Sequence, residues 1–248
     1  YYDYPYILRH TDWNVNEKTQ DIVFISYDEK NADLNYNILK NKYLRTKRLH
    51  GIKGMENALY QAALLSETDW FFAVFAKTQL HEDFDFSYLP DRLQGDKHYI
   101  FNCKNTVNDL EYGHMGIILY HKQMIIDSHD YEKLGLDYTM SHRHDVVPVV
   151  SCYGVFNTSP FETWRSAFRE TIKLSQQLEE KPTIETRYRL KIWRTKAQGD
   201  YSEYCTAGAN DGVEFYNQNK NNMQELKKTF RWDWLKQRFD TLYNISNG

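Results

Sequence analysis

Asp21-Ile-Val-Phe-Ile-Ser-Tyr-Asp28 decides the fold: four consecutive apolar residues run straight into a polar cluster. A run this short and this uniformly apolar reads as a strand covered on both faces, as in a parallel sheet, with its carboxyl edge at Ser26–Glu29. Working outward, Ala32, Tyr36 and Leu39 recur at helical spacing between Asn31 and Lys42. The basic stretch Arg45–His50 reads as a second strand, and Gly51-Ile-Lys-Gly54 as a loop. Met55, Ala58, Leu59, Ala62 and Leu65 then trace one face of a helix that ends near Ser66. Trp70–Phe75 is again a fully apolar strand. Strand, helix, strand, helix, strand within 80 residues predicts an α/β fold with an open, mostly parallel sheet flanked by helices. Ligands of such sheets bind beyond the carboxyl ends of the strands, which here are Ser26–Glu29, His50–Gly54 and Phe75–Gln79.

Farther along, Tyr99–Asn102, Gly116–Tyr120 and Val146–Cys152 read as strands, and Asn105–Met115 as a polar loop. Acids and histidines crowd Asp127–Asp145, among them His129, His142 and His144. At Ser159-Pro-Phe-Glu162 a helix start is spelled out, with Ser159 as N-cap, Pro160 at the first helical position and Glu162 closing a capping box. That helix is expected to reach Glu179 and stop before Pro182, and Gln224–Tyr243 to be helical as well. The expected organisation is an N-terminal extension (1–20), an α/β domain (21–155) and a mainly helical part (156–248) packed on it.

The chain has 248 residues, with 31 Lys+Arg against 34 Asp+Glu for a net charge of −3. That balance excludes a histone-like polybasic protein and an intrinsically disordered one. No apolar run approaches the ~18 residues needed to span a bilayer. Cys103, Cys152 and Cys205 form no CxxC pair and are expected as partly buried thiols in a reducing compartment. Twenty tyrosines supply rings with polar tips, suited to a binding surface. The abrupt opening on Tyr1-Tyr-Asp-Tyr-Pro5 suggests a piece of a longer protein.

His142 and His144, two apart on a strand, share a face and could chelate a metal, but no HExxH or CxxC accompanies them, and a solvated polar loop reads as well. There is no GxxxxGK[ST], GxGxxG or GxSxG. Gly51–Gly54 opens a helix, so its amides with Lys53 could hold an anion; a plain strand–helix turn is the alternative. Arg187-Tyr-Arg-Leu-Lys-Ile-Trp-Arg194 interleaves rings and cations as nucleic-acid binders do, or forms a solvated basic face.

Taken in order, Asp21–Glu29 with Asn31, His50–Gly54, Thr68–Phe72, Asn105–Gly116, Phe156–Pro160 with Ala167–Glu170, and Gly208, Ala209 and Gly212 resemble a glycosyltransferase-like family with a GT-A type fold found in large tailed phages, T-even-type ones included. The resemblance covers about residues 20–220. It implies a nucleotide-sugar donor, a UDP-sugar first, in the crevice at the strand ends. Ser26, Tyr27, Asp28, Glu29 and Asn31 would line the nucleoside, with His50, Gly51, Lys53 and Gly54 near its base or ribose. Family members carry a metal-binding Asp-x-Asp after the third strand; here the place reads Phe75-Ala76-Lys77. They also tend to have an acid where this chain has Ser159, and a His where it has Val155. A metal-independent site is therefore expected, with Lys77 taking over leaving-group charge. Asp109 and Glu111, with Asp127 behind them, are the expected carboxylate bases. Arg187, Arg189, Lys191 and Arg194 would form the acceptor track, a modified DNA base in infected host cytoplasm being the acceptor implied. Arg169 and Glu170 would form a structural ion pair. The alternative is a non-catalytic GT-A-like module of a larger phage protein, serving nucleic-acid or protein binding, or assembly.

Overall fold

The computed structural model describes residues 19–29, 31–128 and 142–243. All but the last two residues of the expected N-terminal extension, and His129, lie outside these. The chain runs β1 (Asp21–Ser26), α1 (Ala32–Lys42), β2 (Thr46–His50), α2 (Met55–Leu65), β3 (Trp70–Phe75) and a short β4 (Gln79–Leu80). Then come β5 (His98–Asn105), β6 (Glu111–His121), α3 (Lys122–Asp127) and β7 (His144–Gly154). The helical part is α4 (Pro160–Glu180), α5 (Ile184–Thr195), α6 (Ser202–Asn219), α7 (Met223–Lys227) and α8 (Trp232–Leu242).

The strands form one seven-stranded sheet in the order β2-β1-β3-β6-β5-β7-β4, so β2 and β4 are its edges. The sheet is mixed rather than mostly parallel: β1 is parallel to both β2 and β3, and β5 to β7, while β3–β6, β5–β6 and β4–β7 are antiparallel. A buried apolar run reports that both faces are covered, not which way the neighbour points. Direction came instead from connection length: only residues 106–110 join β5 to β6, too few for a crossover. The same turn corrects the expected loop, because strand structure already begins at Glu111.

The crossovers from β1 to β2 and from β2 back past β1 to β3 run in opposite directions, so right-handed connections put their helices on opposite faces. Ala32 and Leu39 of α1 accordingly pack with Ile22, Phe24, Phe72 and Val74. Ala58, Leu59, Ala62 and Ala63 of α2 pack with Val23, Ile25, Phe71 and Ala73 on the other side.

Helix α4 starts where the sequence signals it, Ser159 Oγ accepting the amide of Glu162 at 3.2 Å. The box is not closed: the Glu162 carboxylate pairs with Arg165 at 2.6 Å instead. The C-terminal segment is helical but broken, by a 3-10 turn at Lys228–Phe230 between α7 and α8. Two clusters anchor this part. Trp164, Phe168, Phe215, Leu235 and Phe239 join α4, α6 and α8. Val107 and Leu110 of the β5–β6 turn and Tyr112 at the start of β6 are buried with Ala167, Leu174, Trp193 and Ala209 of α4–α6. All three thiols are free and fully rather than partly buried, Cys103 and Cys152 standing opposite each other on β5 and β7. Among the described residues no helix is long and apolar enough to cross a membrane.

Candidate functional site

The opposed crossovers leave a topological switch point between β1 and β3, where the chain parts to opposite faces and opens a crevice. Register fixes what lies along its rim: Ser26 is level with His50, and Ile25 with Phe75. Two backbone bonds knit the rim, Gly51 N–H to Ser26 O at 3.0 Å and Ala76 N–H to Ile25 O at 2.8 Å. The Ser26 hydroxyl lies 2.9 Å from His50 Nδ1 and accepts from Arg48 Nε at 3.3 Å. The outer layer consists of exposed side chains from Tyr27, Asp28 and Asn31, with Glu29 half-buried and holding the Tyr27 amide at 2.8 Å. Asn35 of α1 donates to Ala76 O at 2.8 Å, tying that helix to the end of β3. On the other flank Gly51 and Gly54 have φ of 77° and 87°, a region open to glycine, and Gly54 leads into α2 beside the exposed Lys53. The structure thus gathers the nucleoside-side and ribose-side candidates on one rim.

Lys77 follows two residues after β3, beyond the carboxyl end of that strand. Its side chain keeps access to solvent, yet protein surrounds it closely enough to hold its ammonium below the usual lysine range. Burial is the first cause; the Arg165 guanidinium adds to it and Arg169 more weakly, while Glu162 and Glu29 oppose them. Among the described residues, no hydrogen bond or ion pair engages the Lys77 ammonium. Arg165 presents a buried Nε that has no hydrogen-bond partner among the described residues either. Three cations against two carboxylates, one of these already held by Arg165, make the surroundings of Lys77 electropositive. An anion beside the Lys77 ammonium would offset this charge.

The carboxylates expected to act as bases lie elsewhere. Asp109 sits in the β5–β6 turn at φ 58°, paired with Lys196 at 2.9 Å and with Gln198 at 3.1 Å. The Lys196 hydrogen bond lowers its pKa, so it stays a carboxylate of low basicity. Glu111 is on strand β6, 3.8 Å from Lys104. From Gly116, which accepts a 3.1 Å bond from Thr78 beside Lys77, it is five residues along the strand, or ~17 Å. Asp127 ends α3 beyond the opposite end of the strands, since β6 delivers His121 next to Trp70 at the start of β3. Glu170 pairs with Arg189 at 2.7 Å, not with Arg169, which lies over the Phe230 ring.

The α5 cations divide. Arg187, Lys191 and Arg194 are exposed on one face. Arg189 turns inward, its guanidinium 3.8 Å from the Tyr112 ring centroid and bound to Glu170, and so stands apart from the expected acceptor track. His144 Nδ1 lies 2.8 Å from His142 O, and among the described residues no three side chains of the metal-binding kind converge. Phe75, Ala76 and Lys77 offer no ligand for a divalent ion at the end of β3, so the donor set there does not fit one.

Sequence reasoning missed Arg165 as part of the crevice. It lies 88 positions beyond Lys77 in sequence, and only the folded chain brings the two near enough for their charges to interact. No protein-family description matches the chain, and no curated protein does. Among solved structures, a search finds the mannosyltransferase PcManGT from Pyrobaculum calidifontis, solved with GDP-Man and Mn2+. It is similar to this chain at a TM-score of 0.44 and 10% identity, over 92% of this chain and 88% of that one.

Proposed function

We propose that the protein transfers a sugar from a nucleotide-sugar donor to an acceptor hydroxyl, with the donor diphosphate on the floor of the β1/β3 crevice. The observation that carries this reading is a Lys77 ammonium with no hydrogen bond or ion pair among the described residues, just beyond β3 at a switch point and close enough to Arg165 to feel its charge. Lys77 neutralises charge as the nucleotide leaves, and Arg165 donates to the same phosphates. No step is routed through a metal, because the end of β3 supplies no ligand for one. Ser26–Glu29 and Asn31 contact the nucleoside, while His50 and the Gly51–Gly54 amides with Lys53 close the other side. A UDP-sugar donor and a modified DNA base as acceptor belong to the same proposal.

The test is a thermal-shift titration with UDP-, GDP-, ADP- and CMP-sugars, each with and without manganese. A ligand bound only by the native state raises stability by RT ln(1 + [L]/Kd), about 2.7 kcal/mol at a hundredfold excess over Kd. One nucleotide class should stabilise the protein without manganese, and Lys77→Ala should remove that shift while leaving the unliganded melting point unchanged. No shift with any donor sinks the proposal.

A second reading, a GT-A-like module that binds without catalysis, is favoured by the engagement of Asp109 with Lys196 and Gln198 and of Glu111 with Lys104. Donor stabilisation with no sugar transfer to any acceptor, DNA included, is its expected signature.

A further inference from the structure

A second concave surface lies in the helical part, between α5, the end of α4 and the middle of α6. It encloses about 450 Å³ and is lined by Arg187, Lys191 and Arg194 over an apolar floor of Leu178 and Leu190. The three cations recur at i, i+4 and i+7, so they stand in a row on one helix face, ~6 Å and ~4.5 Å apart along the axis. No carboxylate lines the groove. The acids ending α4 are occupied elsewhere: Glu179 binds Lys220 and Tyr216, and Glu180 binds Gln176. Arg194 is steadied by a neutral partner, its Nε donating to Asn210 Oδ1 at 2.8 Å, which leaves its terminal nitrogens available. Arg187 and Lys191 make no ion pair among the described residues.

This concentration of positive charge has to be set against a chain whose net charge is −3. Like charges in a row repel one another, and an apolar floor prevents water from screening them from below. Exposed helices ordinarily relieve such repulsion with acids at i±4, as Glu185 does for Arg189 on the neighbouring face. Here that relief is missing. The groove is also far from the Lys77 crevice, since Leu178 lies thirteen residues beyond Arg165 on α4, about 20 Å along the helix.

We infer that this groove is a second anion site, separate from the crevice, and that it takes a ligand carrying two or more phosphate groups in a row. A linear phosphate chain laid along α5 meets each cation in turn, and this holds whether or not the chain is a transferase. The phosphates could belong to a small polyphosphorylated molecule or to a nucleic-acid backbone.

Calorimetric titration with sodium tripolyphosphate at low salt tests this, carried out on Lys77→Ala protein so that the crevice does not contribute. Binding should be present there and should weaken by roughly tenfold or more when Arg187→Gln, Lys191→Gln and Arg194→Gln are added together. Lys104→Gln, the loss of a surface cation on β5, should leave it unchanged. Competition with a single-stranded oligonucleotide separates the sources: displacement that strengthens with oligonucleotide length indicates the backbone, and length-independent displacement the small molecule. Absence of tripolyphosphate binding in Lys77→Ala protein, or binding unaffected by the triple substitution, overturns the inference. Because the α5 residues are solvent-exposed, an unchanged circular-dichroism melt should confirm that the variants fold.

Discussion

His98 is the buried titratable group with the largest consequence. It is fully enclosed, and its Nδ1 accepts the His121 amide at 3.1 Å, so the ring is neutral with its proton on Nε2. Burial, with His142, His121 and His144 adding to it, lowers its pKa to about 3. The unfolded chain has an ordinary histidine, so from about pH 6.5 down to pH 3 it binds a proton that the native state refuses. Stability is therefore present above that window and falls within it by ~1.4 kcal/mol per pH unit. Urea denaturation at pH 6.5 and 4.5 should show His98→Gln losing less than the parent, by roughly 2–3 kcal/mol. Equal losses would mean that His98 is not held neutral. Nothing local distinguishes His98 from the other histidines; its burial comes from β6 and β7 closing on either side. Lys77, by contrast, was legible, because its place follows from the end of the third apolar strand. The pinning of Asp109 was not, since Lys196 arrives from α5.

At the scale of elements, α6 shows why glycine stands at positions 208 and 212. A Cβ at Gly208 would come within 2.4 Å of the Trp164 carbonyl oxygen, and one at Gly212 within 2.4 Å of that of Phe168. Both obstacles are backbone of α4, so relief requires the helices to separate and the aromatic cluster around Trp164 and Phe168 to loosen. Gly208→Ala and Gly212→Ala should each destabilise by about 1–3 kcal/mol, read as a lower denaturation midpoint, despite alanine's better helix propensity. The start of α4 was legible because Ser159 and Pro160 encode it locally. The antiparallel run of β6 was not: Ile117–Tyr120 is as apolar as Ile22–Ile25, and only the length of the Thr106–Leu110 turn separates the two cases. The N-terminal parallel unit was read correctly because its first two strands are each followed by a helix long enough to cross back over the sheet.

For the whole molecule, the joint between sheet and helices is the deciding feature. The β5–β6 turn and the start of β6 insert Val107, Leu110 and Tyr112 among α4–α6, and Arg189 clamps Tyr112 from the helical side. Removing either half would expose the apolar surface of the other. Hydrogen exchange followed by mass spectrometry should therefore give the slowest amides of β3 and of α6 the same opening free energy, as one cooperative unit. Two distinct values would mean that residues 156–248 hold together on their own.

The two margins of the sheet have a consequence for the protein in concentrated solution. A sheet margin with bare amides and carbonyls invites a strand from another molecule and, repeated, a fibre. One margin here is β2, Thr46-Lys-Arg-Leu-His50, whose Lys47 and Arg48 are held by Asp21, Glu67 and Asp33, long side chains and ion pairs that an incoming strand would have to fit around. The other is β4, only two residues long and too short to template a ladder. Because β4 pairs only with Cys152 and Tyr153, the outer edge of β7 from His144 to Val150 meets no other strand among the described residues, and with Val146 and Val149 exposed and only Pro148 interrupting its amides it is the margin along which another copy would add.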